Sequence, residues 1–248
     1  MKNRLEYKYL VPLSSMDRLR IDLLKYLEYD GYATKRPNKE YTVRSIYLDT
    51  HDYQCYYEKL DGLHSRKKFR IRGYNTPEEN NQIFFEIKRK YDNFISKSRA
   101  GFYFHDLHEV LQNNQSVPSF IEREEDDFEY FYYYYQLKRL EPKVLVVYDR
   151  EPFECKFGSQ LRITFDKNLR SKSVDTYLQL YDDDKLMDVY RSEFVFEVKF
   201  FQVLPRWISR VLEKYDLTRL AVSKYTSSIE RQGPSTLRLN TFIRHDYY

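Results

Sequence analysis

Glycine is scarce in this chain, Gly 6 among 248 residues, and that scarcity removes the common nucleotide-binding loops. A P-loop or GxGxxG turn needs glycine where backbone approaches phosphate, and neither pattern is present. Cysteine is equally thin: Cys55 and Cys155 supply neither a disulfide framework nor a cysteine-based zinc site. No uncharged apolar run approaches the roughly 18 residues that read as a membrane span. The opening MKNRLEYKYL lacks the apolar core of a signal peptide. A strong charge of one sign is also missing. The net charge is +4, with the basic HSRKKFRIR at 64–72 offset by the acidic EREEDDFE at 122–129, so no nucleic-acid partner is expected. A soluble, cytoplasmic protein is the expectation.

What is abundant is the aromatic residue. Tyr 26 and Phe 17 favour strands. Strand patterns cover Leu5 to Val11 and 42–50, 65–75, 82–91 and 95–104, then 142–153, 160–171 and 191–200. Helices are predicted from Ser14 or Ser15 to about Asp30 with Gly31 as the stop, within 117–139 from Pro118, and over Leu204 to Tyr215. The run Phe131 to Tyr135 is read as helix packing against the sheet, and His105 and His108 as surface residues. The fold class is α+β with a large antiparallel sheet, as one domain over 1–248 with a loose tail after about 233.

Within these strands one pattern recurs. Successive side chains alternate between faces, so Glu6 and Lys8, Arg70 and Arg72, Glu86 and Lys88, and Glu197 and Lys199 each share a face, as do Arg162, Thr164 and Asp166. Their neighbours are apolar. One explanation is a sheet with a dry and a wet face. The weighting toward Arg and Lys favours another: a barrel closed on itself, with a cationic lumen and helices packed outside. Such a lumen repels itself unless it holds a polyanion. Arginine forks and lysine point charges suit phosphate, and isolated carboxylates suit magnesium or manganese.

In order along the chain, RLEYKYLV, RSIYLDT, KFRIRGYN, FFEIKRK, SKSRAGF, PKVLVVYDREPF, LRITFDKNLRS, FVFEVKF and AVSKYTSS resemble elements of the triphosphate tunnel metalloenzymes, most closely the polyphosphate polymerase (VTC) domain family, over roughly 1–231. The resemblance implies a closed antiparallel tunnel in which Arg70, Arg72, Lys88, Arg150 and Arg162 act on the reacting phosphates and Lys8, Lys97, Lys199 and Lys224 bind substrate. It implies that Glu197 holds Mn2+ or Mg2+; Glu86 and Glu6 either bind metal or orient neighbouring cations. Arg4 stands where the hydrolase and cyclase branch has the first glutamate of ExExK, which favours the polymerase-like branch. Neither the sensing domain nor the membrane helices of the eukaryotic complexes are expected in this chain.

The function implied is transfer of the ATP γ-phosphoryl group to a growing polyphosphate chain, with ATP and polyphosphate as partners. A metal-dependent triphosphatase acting on nucleoside triphosphate or inorganic tripolyphosphate, and a non-catalytic binder of polyphosphate or nucleotide, stand beside it. Losing Arg70 or Lys88 is expected to cost more than losing Lys167, taken as a surface residue.

Overall fold

A computed structural model describes residues 4–77, 81–92, 94–112 and 125–233. Its framework is one antiparallel sheet. The long strands are β1 (Arg4–Pro12), β3 (Tyr41–Asp49), β4 (Ser65–Tyr74), β5 (Gln82–Tyr91), β6 (Phe94–Tyr103), β7 (Glu141–Cys155), β8 (Arg162–Ser173) and β10 (Glu193–Phe201). They are ordered β1-β10-β8-β7-β3-β4-β5-β6, with the short β2 (Leu27–Tyr29) on β7 and β9 (Met187–Asp188) on β8. Helices α1 (Met16–Leu23), α2 (Gly31–Thr34), α3 (Gln54–Leu60), α4 (Leu107–Gln112), α5 (Glu125–Leu137), α6 (Arg206–Lys214) and α7 (Lys224–Gln232) fill the connections.

Alternation sorts the side chains as expected. On the outer face of β1, β8 and β10, Tyr9, Val11, Ile163, Phe165, Phe194 and Phe196 pack with Leu19 and Leu23 of α1 and Ile208 and Val211 of α6. On the outer face of β4 to β6, Phe69, Ile71, Phe85 and Phe102 pack with Val110 of α4 and Phe128 and Phe131 of α5. The tyrosine-rich run of α5 therefore covers the sheet. The expected start of that helix at Pro118 and the tail after Gly233 lie outside the described residues.

The closed barrel is not completed by hydrogen bonds. Among the described residues β1 and β6 are the edge strands and share no ladder. The sheet nevertheless curls until Lys88 of β5 donates to both carboxylate oxygens of Glu6 on β1, at 3.0 and 3.2 Å. The inner faces of β5 and β6 carry Lys88 and Lys97, and charge of this kind on and near a sheet edge disfavours further pairing. An ion pair spans the seam instead.

Three local expectations change. The first helix stops at Leu23, because Leu27, wholly buried, and Tyr29 pair with Cys155 and Phe153 as β2. Gly31 starts α2 rather than stopping a helix, with the Asp30 carboxylate accepting from the amides of Tyr32 and Ala33. The helices are not all outside: α7 lies on the inner face, where the ring of Tyr225 stacks on Tyr47 of β3 at 5.2 Å and Gln232 donates to Ser171 of β8.

β8 also carries an extra residue. Between the pairs Val147–Arg170 and Asp149–Lys167 it advances three residues while β7 advances two, around Asn168 at φ 51°. Asparagine tolerates this left-handed backbone better than most residues.

Asp49, fully buried at the end of β3, accepts from the amides of Thr50, Cys55 and Tyr56 and from the Tyr225 hydroxyl. It ties α3 and α7 to the sheet. Asp49→Ala leaves these donors unpaired and is expected to cost about 3 kcal/mol of stability, read from the urea midpoint.

Candidate functional site: a cationic cavity on the inner face

The inner faces of β1, β4, β5, β7 and β10 converge with the start of α7 around a cavity of about 100 Å³. Lys8, Arg70, Arg72, Lys88, Arg150, Lys199 and Lys224 line it, as expected, and so does Lys68. Against these eight cations stand two lining carboxylates, Glu6 and Glu197. The hydroxyls of Tyr47, Tyr148, Ser223 and Tyr225 complete the wall.

Four acids hold the cations in place. Glu197 meets Lys224 at 2.7 Å, Lys199 at 2.9 Å, Arg150 at 3.5 Å and Lys8 at 3.6 Å. Asp166, completely buried, takes a two-pronged contact from Arg150 at 2.7 and 2.8 Å and a second contact from Lys224 at 2.5 Å. Glu86 receives Arg70 at 2.6 Å and Lys97 at 2.5 Å, with Arg72 and Arg99 each 3.8 Å away. Glu6 lies between Lys8 at 3.1 Å and Lys88 at 3.0 Å. The cavity is narrow because the cations are folded onto these carboxylates.

Charge decides the protonation states. Burial favours a neutral Glu197, yet Lys199, Lys224, Lys8 and Arg150 together hold its carboxyl well below the usual range. Glu86 is likewise drawn down, against burial, by Arg70, Arg72 and Lys97. For Lys88 burial wins: with Lys8 and Lys199 adding repulsion and Glu6 opposing, its ammonium is pushed down from 10.5 to about 8. Lys97 also falls to about 8, chiefly by burial, despite Glu86.

Lys68 was missed by the sequence reading, although it continues the alternation of Arg70 and Arg72. It donates to Ser223 Oγ at 2.6 Å, and among the described residues no carboxylate lies within ion-pair distance of it. Burial, then the charges of Lys8 and Lys88, push it well below the ordinary lysine value. Helix α7, which delivers Lys224, and the inward tyrosines were missed as well; the clue to the helix was Ser223, whose hydroxyl caps it by accepting from the Thr226 amide.

Three expected residues lie off the cavity, the first of them Glu86, which stands behind Arg70 and Arg72. Lys97 reaches it only through Glu86. Arg162 is half exposed and turned to Asp30 at 3.1 Å, in a separate cavity of about 1250 Å³ that also holds Lys35 and Arg36. The intended surface control Lys167 is no control: it is mostly buried between Glu40 at 2.5 Å and Glu151 at 3.0 Å. Exposed Lys185 serves instead.

Among the described residues no three His, Cys, Asp or Glu side chains converge as a metal cage. Glu6 and Glu86 act in this structure as ion-pair partners. Glu197 is engaged by cations too; it and Glu6 are the lining carboxylates open to a metal, in the mode where one or two carboxylates and substrate phosphates share the ion.

Residues 3–231 match the VTC domain. The chain belongs to the VTC domain family. This VTC domain is 25% identical over 272 aligned positions to vacuolar transporter chaperone complex subunit 4 of Schizosaccharomyces pombe, covering 93% of the chain but 37% of that relative. It spans little more than a third of the relative's length. The fold is similar to the crystal structure of a Bacillus halodurans protein assigned as an adenylate cyclase, with TM-score 0.50 and 14% identity over 90% of this chain and 94% of that one. Among the described residues no helix is long and apolar enough to cross a membrane.

Two outcomes follow for the VTC domain. Lys68→Met removes a buried cation that lacks an acid, so it is expected to raise the stability of the ligand-free protein by about 1 kcal/mol while weakening tripolyphosphate binding; thermal unfolding and titration calorimetry read the two. Lys88 has a folded value near 8 against 10.5 unfolded, so the unfolded chain binds more protons between those values. Stability therefore gains a rising component from about pH 8 to 10.5. Tripolyphosphate affinity falls as pH rises through 8, and Lys88→Arg flattens both trends.

Proposed function

We propose that this VTC domain binds the triphosphate of ATP in the inner cavity and transfers the γ-phosphoryl group to the end of a growing polyphosphate chain. The observation that carries the reading is the cavity lining: eight cations, seven of them paired with acids at or behind the wall, against two lining carboxylates, a balance that suits a polyanion. The match to the VTC domain, and the vacuolar transporter chaperone subunit among its relatives, support polyphosphate over other polyanions.

The chemistry asks little beyond position and charge. Phosphoryl transfer needs donor and acceptor held in line and the charge on the transferring oxygens neutralised. Arg70 and Arg72, braced by Glu86, offer planar forks. Lys8, Lys199 and Lys224, gathered by Glu197, add point charges. The terminal phosphate of the acceptor is already an anion, so no general base is required. A phosphate beside Lys88 and Lys68 offsets the burial and repulsion that draw their ammonium values down, which keeps both charged when the site is filled.

A magnesium or manganese ion would be held by Glu197 together with the substrate's own phosphates, and would supply further charge neutralisation and alignment. Glu197 already faces four cations. An added dication is therefore tolerable only in company with a ligand that is itself strongly negative.

The deciding measurement is the fate of label from γ-labelled ATP with manganese, with and without a short polyphosphate primer. Label entering long polymer is expected, reduced about a hundredfold in Arg70→Ala and strongly in Glu197→Gln, and unchanged in Lys185→Ala. Label found only as orthophosphate makes the protein a triphosphatase. Tripolyphosphate binding without any metal-dependent turnover makes it a binding module.

A further inference from the structure

Apolar side chains are left in solvent where two turns meet. Leu60 ends α3 and Leu63 stands in the turn to β4, while Tyr91 and Phe94 are register partners on either side of the β5–β6 turn. The two turns are adjacent: Ser65 pairs with Tyr91, and the Asp92 amide donates to the His64 carbonyl at 3.0 Å. All four side chains are about half exposed, from 46% for Leu63 to 63% for Tyr91, and none joins the two packed cores.

Cations flank these tips on both sides. One cavity, of about 500 Å³, is lined by Arg66, Lys67, Arg89 and Lys90 beside Tyr91 and Phe94, with no carboxylate among its described lining residues. Lys67 and Arg89 are laid over the rings of Tyr134 and Tyr130, at 4.9 and 4.6 Å from the centroids. A second cavity, of about 410 Å³, adds Lys59 and Arg219 to Arg66 and Lys90. Burial and then the charges of Arg66, Arg219 and Lys59 push the Lys90 ammonium below its ordinary value, with Asp92 opposing. The acids at hand are already engaged, Glu6 by Lys8 and Lys88 and Asp92 by His64 at 2.5 Å, and Asp61 is the remaining carboxylate of the two turns.

Single exposed apolar residues are ordinary, but a group of them at the tips of adjacent turns, ringed by cations, marks an interaction surface. Charge selects the occupant. A second copy of the chain would bring like charges face to face, and a small free anion would leave the leucines and rings in water. An anionic bilayer uses both parts: aliphatic and aromatic tips enter the boundary between headgroups and acyl chains, while lysine and arginine stems reach the lipid phosphates. Footing of this kind is peripheral and needs no spanning helix.

We infer that this end of the sheet is a peripheral docking surface for an anionic lipid bilayer. Leu60, Leu63, Tyr91 and Phe94 enter the headgroup layer, and Lys59, Arg66, Lys67 and Lys90 meet its phosphates. None of these eight lines the central cavity, so the inference stands apart from the chemistry proposed there.

Vesicle flotation tests it. The protein is expected to float with phosphatidylcholine vesicles that contain phosphatidylglycerol, not with phosphatidylcholine alone, and to be released by high salt. Tyr91→Ser combined with Phe94→Ser is expected to weaken partition about tenfold, and Lys59→Gln and Lys90→Gln about fivefold each, with Lys185→Gln unchanged. Absence of wild-type binding to the anionic vesicles overturns the inference and leaves an acidic protein as the occupant of the surface. Undiminished binding by the Tyr91→Ser, Phe94→Ser variant also overturns it; displacement of those vesicles by tripolyphosphate then places the lipid phosphates in the central cavity. A second measurement uses the unaltered protein, so that it does not depend on how the variants fold. Anionic vesicles are expected to slow amide hydrogen exchange in the peptides spanning 60–67 and 89–96, and protection confined to other peptides overturns the docking surface.

Discussion

Like charges confined to one small space are the condition that the rest of the structure answers. Eight cations line a cavity of about 100 Å³, and two unit charges 4 Å apart at an effective dielectric of 20 repel by about 4 kcal/mol. The answer is the sharing of few acids among many bases. Each of Glu6, Glu86, Asp166 and Glu197 touches two or more cations, so every cation but Lys68 has a nearby anion without the cavity becoming neutral. The acids lie at or behind the wall; the cations reach past them. Such pairs are costly to desolvate and contribute little net stability, so the holding energy comes from the other side of the strands. There Phe, Ile, Val and Leu pack against α1, α5 and α6.

This division explains why the site belongs to the sheet and not to loops. Each strand that contributes a cavity-lining residue is pinned by its own apolar alternates, which fixes register, because a slip by one would bury the charges and expose the rings. The inner helix α7 is pinned differently, through Tyr225 to Asp49 and Tyr47. Lys224 consequently arrives on a rigid element despite coming from the far end of the chain.

Much of this was legible in the sequence because period-two alternation writes both faces into the residues. Arg70, Lys88 and Glu197 could be placed on one face from their strands alone, and eight long strands were found close to their true limits. Lys68 escaped only because the same rule was not carried one step back along β4. Helix α7 and strand β2 escaped for a physical reason: their states are set by tertiary partners, Tyr47 and Asp49 for the first and Phe153 for the second, against weak local preferences. Closure was not legible either, since whether the two sheet edges pair depends on curvature summed over every strand. Arg162 shares a face with Thr164 and Asp166, yet at the strand end its long side chain turns to Asp30, a contact between residues far apart in the chain.

The single extra residue at Asn168 determines how far the basic series runs along β8. Up to Asp166 the even-numbered side chains point inward; past the bulge the odd ones do, and Leu169 and Ser171 are buried there. Arg170 and Lys172 are thereby diverted outward, to Asp149 at 3.5 Å and to Asp182 at 2.6 Å. Had the strand continued straight, both would have turned to the inner face, beneath α7, where Gln232 now meets Ser171. One left-handed asparagine thus acts as a counting device, capping the number of positive groups that the inner face carries.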